Sequence, residues 1–496
     1  MHPINFKSDS DDLHAAQNFA GNIFDLLPSD HECFVFDKLF DQLDTRALES
    51  DYSPEGQHAY HPKKMVSILI YGYTHGVFSM RELEKRCCED LSFMYIARMN
   101  CPNFRTLNNF RKDNAAFFED SFKQSVEFAM KLKMASLGHV SFDGSKFKAN
   151  SSKHKAMSYG RLKEKEPKLC KEIEELIKQG DDCNDEEDRD YQDKSSYELA
   201  EELAFKKRRL EAIQKAKKAL EAREESINPG QDIDDKKQIS FADYDARIMG
   251  KNGRFDYSFN PQISVDGDFQ IIVGQHVSQN ANDKKEVEAG LESIWNAAGK
   301  FPDMISLDNG YFSAENLNAL ERNAVDAYIA TDRNDKKHSD SLEESERKLV
   351  KSDFCYDEEE GCFHCPKGHA LKLKNKGTGS KQVYQGDMTV CASCPLFSRC
   401  SQSKKGEPRT MTTDKHEGLR QAMRIKMEQE EAKEIYKRRK VIVEPVFGQI
   451  KNGGFRGFSL RGKEKVAGEF SLVCAGHNIK KMVKAIMTGA VCPAFE

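Results

Sequence analysis

Three acidic residues occur where a carboxylate could take part in chemistry. Asp143 lies within a predicted strand, and Asp308 lies at the C-terminal end of a buried strand, where α/β sheets place their ligands. Glu444 lies in an apolar stretch, where a carboxylate is costly unless it binds a cation or a hydrogen-bond donor. Phosphodiester chemistry needs such a set, because acidic side chains must hold two divalent ions about 4 Å apart. The alternative from spacing alone is that each acid is separately a turn or cap residue.

A locally basic stretch surrounds Glu444. Between Glu431 and Lys465 there are ten Lys or Arg and four Glu, although the whole chain has a net charge of −5. Three aromatic residues interleave with these cations: Phe447, Phe455 and Phe458. Such a stripe is typical of phosphate contacts beside a catalytic site. The alternative is a solubilising surface whose phenylalanines pack in the core, which we expect for Phe447.

A cysteine-containing segment precedes this stretch. It contains two C-x2-C pairs and one further cysteine: Cys362 with Cys365, Cys391 with Cys394, and Cys400. Paired motifs of this kind in a reducing compartment are a strong signal for tetrahedral zinc. The alternative is a metal-free insertion. Of the remaining cysteines, we expect Cys87, Cys88 and Cys474 to pack as small apolar residues.

The elements that must position the acids begin with a helical region, residues 1–135. Apolar residues recur at helical spacing after Pro62, and Ser79-Met-Arg-Glu82 predicts a capping box that opens a helix through Cys88. Thr106 is predicted to cap a polar helix. Three short helices with an Arg/Asn-rich last one favour either a helix-turn-helix DNA-binding unit or an ordinary helical bundle with a solvated face.

Strand patterns follow from residue 138 onward. Strands are predicted at 138–149, 255–266, 269–279, up to Asp308, and at 326–331, with helices at 283–298 and after Ser313. This order predicts a mixed α/β fold. Residues 167–178 and 197–224 predict an inserted helical hairpin with solvated charges. Helical character is expected to resume near Thr413, and Pro445 favours a helix break at Glu444.

Composition excludes several classes of protein. A length of 496 residues suggests about three domains. The negative net charge excludes a simple basic nucleic-acid coat protein, but not DNA binding through a local basic surface. The most apolar run, 65–78, is too short to span a membrane, and the N-terminus has no apolar signal region, so we expect no export by that route. The fourteen cysteines are therefore expected to be reduced thiols.

Several long blocks match a known family in its order along the chain. They include FDKLFDQLDTRALESDY, YGYTHGVFSMRELEKRC, CPNFRTLNNFRKDN, SFDGSKFKANSS, YSFNPQISVD, LDNGYFS, VEPVFGQIKNGGFRGFSLRG and HNIKKM. The chain resembles insertion-sequence transposases of the DDE class, in the group with an inserted helical segment and a cysteine-containing segment. This resemblance implies a ribonuclease H-like catalytic domain, with a mixed sheet, in which Asp143, Asp308 and Glu444 bind two Mg²⁺ ions.

The resemblance also implies a domain organisation. A helical N-terminal DNA-recognition domain is expected at 1–135, followed by a catalytic domain in three parts. Those parts and the two insertions between them are 136–150 (catalytic), 151–250 (helical hairpin), 251–335 (catalytic), 336–405 (small, zinc-ribbon-like) and 406–496 (catalytic). The family's cysteine blocks favour Cys365, Cys391, Cys394 and Cys400 as the ligands of a structural zinc.

The expected partners are double-stranded DNA, as terminal inverted repeats and as target, and a second copy of the chain in a synaptic dimer. The residues expected to contact DNA are Arg105, Arg111, Arg439, Lys440, Lys451 and Arg456. The implied activity is cleavage of insertion-element ends and their joining to target DNA, in a bacterial cytoplasm and associated with the nucleoid. The alternatives are a catalytically inactive DNA-binding regulator and a ribonuclease H-like nuclease without strand transfer.

The chain departs from the family pattern around Glu444. Related transposases carry a tyrosine and an arginine seven and four residues before the glutamate, and a lysine seven residues after it. The residues at those positions are Lys437, Lys440 and Lys451, whereas Tyr436 and Arg439 are each offset by one residue. One residue rotates a helix by about 100°, so the DNA-positioning role is not carried over to Tyr436.

Overall fold

The structure is a computed structural model that describes residues 22–53, 58–152, 156–186, 196–251, 253–331, 347–376, 381–401, 403 and 405–492. Within these residues it combines three sheets with helices, which confirms the predicted mixed α/β class. Within the described residues, no helix is both long enough and apolar enough to cross a membrane.

The N-terminal region consists of helices. Their bounds are α1 (Glu32–Asp41), α2 (Arg46–Glu49), α3 (Pro62–Thr74), α4 (Met80–Glu89), α5 (Leu91–Ile96), α6 (Phe104–Asp113) and α7 (Ala115–Lys131). Helix α3 begins at Pro62 as predicted, because proline suits the first helical position. Two predicted caps are wrong. Ser79 precedes α4 but its side chain makes no capping hydrogen bond, and α6 is capped by Asn103, which accepts from the Thr106 N–H.

The central sheet has seven strands. They are β1 (His139–Gly144), β2 (Phe147–Lys148), β5 (Arg247–Lys251), β6 (Arg254–Asp266), β7 (Ile272–Ser278), β8 (Met304–Leu307) and β9 (Asp326–Ile329), with β3 (Ala156–Ser158) and β4 (Gln238–Ser240) forming a separate pair. The order across the sheet is β7-β6-β1-β8-β9. Strands β7, β6 and β1 are antiparallel, and β1, β8 and β9 are parallel. The acid-bearing strands β1 and β8 are therefore neighbours.

Helices cover this sheet and connect it to the N-terminal region. They are α10 (Val287–Ala298), α11 (Ala314–Arg322), α14 (Glu417–Glu428), α15 (Glu430–Lys437), α16 (Arg439–Ile442), α17 (Glu444–Asn452) and α18 (Lys463–Met487). Helix α18 is mostly buried and packs against α3, α7 and β7. One hydrophobic core therefore joins the N-terminal helices, the central sheet and α18. Phe447, Phe455 and Phe458 all lie in it, as predicted for Phe447.

Two further parts have small cores of their own. Helices α8 (Tyr159–Glu186) and α9 (Ser196–Ile227) pack against each other and against the β3–β4 pair. The predicted hairpin helices are thus present but longer, and Pro167 lies inside α8 rather than at its start. The turn predicted between them, 181–190, lies partly outside the described residues.

The cysteine-containing segment forms an antiparallel sheet with two short helices. Its elements are β10 (Cys355–Asp357), β11 (Cys362–His364), β12 (Ala370–Lys376), β13 (Gln382–Gln385), α12 (Met388–Ala392), α13 (Phe397–Cys400) and β14 (Thr410–Thr413). The chain near Thr413 is therefore strand, and helix resumes only at Glu417. Six buried side chains form the core of this sheet: Leu349, Phe354, Phe363, Leu371, Tyr384 and Met411.

The cysteines differ from expectation at one place. Cys87 and Cys474 are buried, as predicted. Cys88 is exposed and forms a disulfide with Cys101, so the predictions of a reduced and apolar-packed Cys88 are wrong. Folding places the end of α4 beside the start of the loop before α6, and this contact is not visible in the spacing of the two cysteines.

Candidate active site

Asp143 and Asp308 occupy matching positions on neighbouring strands. Strands β1 and β8 run parallel with Phe142 paired to Leu307, so the next residue of each strand is an aspartate. Neighbouring strands lie about 5 Å apart. Asp308 directly follows β8 as predicted, and its Oδ1 accepts a hydrogen bond of 2.7 Å from the Gly310 N–H. Both carboxylates thus lie at the carboxyl ends of parallel strands, where α/β folds bind ligands.

Polar side chains of β1 and β8 form hydrogen bonds with one another next to this edge. Ser141 and Ser306 face each other across β1 and β8 with their Oγ atoms 2.7 Å apart, and His139 Nε2 lies 3.1 Å from Ser306 Oγ. All three residues are buried. The hydrogen bonds satisfy polar groups that burial would otherwise leave unpaired, which favours this register of the two strands.

Glu444 reaches the same place from α17. Arg439, at the start of α16, lies between the acids with its Nη2 2.9 Å from Asp143 Oδ2 and its Nη1 3.1 Å from Glu444 Oε1. The helix is interrupted at Val443, so the predicted break next to Glu444 is confirmed. This interruption starts a new helix at Glu444, which places an acid from a distant part of the chain beside the β1–β8 edge.

The site holds more negative charge than its own cation balances. Burial raises the pKa of Asp143 to about 6; Arg439 opposes this shift, and the charges of Asp308 and Asp283 add to it. Arg439 is 7% exposed. The charges of Asp308 and Glu444, like that of Asp143, raise its pKa. A buried guanidinium thus compensates part of a cluster to which each predicted acid contributes.

Asp283 is a fourth carboxylate of this cluster that sequence reasoning missed. A Cβ atom at Gly310 would lie 2.9 Å from Asp308 Oδ1 and 3.4 Å from Asp283 Oδ2, so both carboxylates border the same small space. The Asn260 and Gln262 amides of β6 hold Asp283 Oδ1 at 2.8 and 2.9 Å. Its position in the sequence is compatible with this role, because Asp283 lies between a strand and the helix that follows it. An acid in such a loop can reach the edge of the sheet.

The donor set suits a hard divalent cation. Carboxylate oxygens are the ligands that Mg²⁺ prefers, and the four acids come from four separate segments near one edge of the sheet. Among the described residues, no three of their carboxylate oxygens lie within 4.8 Å of one another. The raised pKa of Asp143 is what burial of an incompletely compensated carboxylate produces, and a bound cation would reverse it. Asp143, Asp308 and Glu444 are the residues that could hold such ions, with Asp283 beside Asp308.

The cations expected to contact DNA divide into two groups. Lys440, Arg456 and Arg105 have exposed side chains. Lys451 is half-buried: its Nζ lies 2.6 Å from Ser145 Oγ, two residues after Asp143, and 5.2 Å from the centre of the Phe147 ring. These four side chains are placed where a phosphate could approach them.

The two remaining arginines lie in the interior. Arg439 is bonded to the acids as described above. Arg111 is 3% exposed, and its Nη1 lies 2.7 Å from Tyr73 Oη and 3.4 Å from Glu469 Oε1. Arg111 thus connects α3, α6 and α18 instead of facing solvent. Direct phosphate contacts by these two arginines would need a rearrangement of both ion pairs.

The cysteine segment has a cavity of about 230 Å³. The four cysteines predicted to bind zinc all line it: Cys365, Cys391, Cys394 and Cys400. Among the described residues, however, no three of their sulfurs lie within 4.8 Å of one another. A compact group of possible metal ligands occurs nearby instead, consisting of Glu360, Cys362 and His364.

Comparison with protein-family models gives two matches. Residues 364–483 match the model described as transposase DDE domain, and residues 21–113 match the model described as transposase domain (DUF772). No curated protein and no solved structure matches the chain. Glu444 and the four cysteines of the cavity lie within the first match, whereas Asp143 and Asp308 lie outside both.

Proposed function

We propose that this chain, an insertion-sequence transposase of the DDE class by its two domain matches, cleaves the ends of its element and joins them to target DNA. The observation that carries the proposal is the meeting of Asp143, Asp308 and Glu444 around Arg439. The order of three antiparallel strands followed by two parallel ones supports a ribonuclease H-like catalytic core.

Each acid has a role in this proposal. Asp143 would contact both ions, and Asp308 and Glu444 would each contact one. Two Mg²⁺ ions would activate the attacking oxygen and neutralise the leaving oxygen. Arg439 holds Asp143 and Glu444 in place from the interior, so the carboxylates are already oriented before a substrate binds.

DNA would approach from the basic side of the site. Lys440 and Arg456 are exposed, and Lys451 lies next to the loop that follows Asp143. A groove of about 540 Å³ lies between the N-terminal helices and the segment before α18, and Arg81, Arg105, Asn108 and Asn109 are among its lining residues. We propose that this groove takes part in recognition of the terminal inverted repeats, within a synaptic homodimer.

The cavity of the cysteine segment would hold a structural zinc. Its four thiols come from two turns and two short helices beside one small sheet, and a four-thiolate site has no open position for a substrate. The metal would then stabilise a sheet whose own core is small.

The test is an assay with labelled element ends, unlabelled target DNA and Mg²⁺. Joined products support transposition, nicks without joining support the nuclease alternative, and binding without cleavage supports the regulator. Asp143→Asn should lower cleavage by more than the roughly hundredfold that loss of an outer-shell group causes, because the site would lose a metal-binding oxygen.

The matched control is Asp303→Asn, which changes an exposed aspartate just before β8. It should leave cleavage and DNA binding close to those of the unmodified chain. Asp143→Asn should still bind element ends. Full cleavage by that variant would refute the proposed catalytic site.

A further inference from the structure

The hairpin of β10 and β11 carries a group of ligand-type side chains outside the four-cysteine cavity. Side chains alternate across a strand, so Cys362 and His364 share one face of β11 while Phe363 packs into the small core on the other. Glu360 lies in the turn just before this strand, and its carboxylate folds back over the same face. The spacing Glu-x-Cys-x-His therefore brings three different donor atoms together.

The distances among these donors fit a tetrahedral metal centre. Cys362 Sγ lies 3.6 Å from His364 Nε2 and 3.5 Å from Glu360 Oε2, and His364 Nε2 lies 3.3 Å from Glu360 Oε2. With zinc bonds of about 2.3 Å to sulfur and about 2.1 Å to nitrogen or oxygen, tetrahedral angles separate sulfur from the lighter atoms by about 3.6 Å and nitrogen from oxygen by about 3.4 Å. The three observed separations match the three edges of one face of such a tetrahedron.

We propose that Glu360, Cys362 and His364 form a second metal site of the cysteine segment, which binds a divalent ion of the zinc class. A mixed sulfur, nitrogen and oxygen donor set favours zinc over magnesium or calcium. Binding releases the Cys362 proton to solvent, because the thiolate is the ligand. The fourth position is taken by water or by Asp357, whose Oδ2 lies 3.9 Å from His364 Nε2 and which pairs with Cys362 across the hairpin.

This site is separate from the four-cysteine cavity. None of its three donors lines that cavity, whereas Cys365, the next residue after His364, does. The charges of Cys365 and Cys394 add to the raised pKa of both Cys391 and Cys400, so these four cysteines lie close together. Cys362 thus belongs to the hairpin face and not to the set formed with Cys391 and Cys394. A metal here would tie the turn to β11.

The test counts metal ions bound to the full-length chain by native mass spectrometry after addition of Zn²⁺. Two ions are expected in the cysteine segment, in addition to any ion that the acid site binds, and the variants are compared with the count of the unmodified chain. Cys362→Ser and His364→Gln should each lower the count by one, and Cys394→Ser should remove the other ion. Cys492→Ser, which removes an exposed cysteine near the C-terminus, is the matched control and should retain two ions.

A titration with Co²⁺ gives an independent readout. Cys362→Ser should remove the part of the charge-transfer absorption that arises from one thiolate ligand of Co²⁺. Glu360→Gln should weaken Co²⁺ binding at this site by at least about tenfold without altering the fold. Far-UV circular dichroism checks that each variant is folded.

The outcomes distinguish the two metal sites. An unchanged ion count in both Cys362→Ser and His364→Gln would overturn the second site. A single ion that is lost only on Cys394→Ser would also overturn it. A single ion lost only on Cys362→Ser and His364→Gln would support it and refute the four-cysteine zinc.

Discussion

The candidate active site and the cysteine segment assemble their ligands in different ways. The acids come from distant segments, and each is attached to an element of the main core: Asp143 to β1, Asp308 to β8 and Glu444 to α17. The thiols lie between Cys365 and Cys400 and belong to a single small sheet, whose core has six buried side chains among the described residues. Arg439 pairs with Asp143 and Glu444 in the interior, whereas the thiols line a cavity with no comparable internal partner. Among the described residues, neither the acids nor the thiols bring three ligand atoms within 4.8 Å of one another.

This difference indicates where a metal contributes to folding. The main core fixes the acid site, so a cation there would act mainly in chemistry. The small sheet has a small core, so we expect a metal that binds only its folded form to supply part of its folding free energy. Three measurements test whether the two regions differ in this way.

The largest effect is expected from removal of metal from the cysteine segment. Because the free energy of metal binding becomes folding free energy in small metal-binding units, chelation should speed amide hydrogen exchange in β11, β12 and β13 by at least about a hundredfold. Exchange in β1, β6 and β8 should stay unchanged, since those strands lie in the main core. Hydrogen exchange with mass spectrometry, with and without a chelator, measures both sets of strands in one sample.

Cys394→Ser should reproduce the effect of chelation on the small sheet, and Cys492→Ser should not. Equal protection of the small sheet with and without chelator would show that its six-residue core suffices. The two regions would then not differ in their dependence on metal.

The second effect concerns Arg439, the internal cation of the acid site. Arg439→Met leaves the half-buried Asp143 carboxylate without its partner, and this loss costs at most about 3 kcal/mol of unfolding free energy, the low end for a fully buried ion pair. The partly exposed Glu444 adds less, because solvent screens it. Denaturant unfolding in the presence of a chelator measures this loss, with Lys440→Met as the exposed neighbouring control.

Divalent cations should act differently on this variant than on the unmodified chain. Mg²⁺ or Mn²⁺ should restore more stability to Arg439→Met, because a bound cation replaces the missing positive charge. An Arg439→Met variant that is as stable as the unmodified chain in chelator would show that the acids are not held by their internal cation.

The sequence predicted the positions of the two aspartates at β1 and β8 better than the rest of the acid site. Local hydrophobic patterns predict a strand that contains Asp143 and a buried strand that ends at Asp308. Pro445 predicts the helix break next to Glu444. The pairing of Arg439 with Asp143 is a long-range contact that no local pattern encodes. The same holds for the disulfide between Cys88 and Cys101, whose spacing alone does not indicate that their Cα atoms lie 5.8 Å apart.

Asp283 shows why a fourth carboxylate escaped the same reasoning. Its position depends on the loop after β7, which carries no strand or helix signal, and on amides of β6 that hold one of its oxygens. Sequence periodicity locates the elements but not the loop conformation that brings Asp283 to Asp308. The contribution of Asp283 to cation binding is therefore the subject of the last prediction.

The smallest effect is expected from Asp283→Asn. The change removes a negative charge next to Asp308 while retaining the side-chain size, and loss of a group that supports a metal site typically costs 10- to 100-fold in affinity, which is about 1.4–2.7 kcal/mol. Mn²⁺ affinity measured by calorimetry should fall by that factor, whereas the ion count of the cysteine segment should not change. The matched control is Asp268→Asn in the β6–β7 turn. An affinity equal to that of the unmodified chain would mean that Asp283 only anchors its loop, and the acid site would then depend on the three core-borne carboxylates alone.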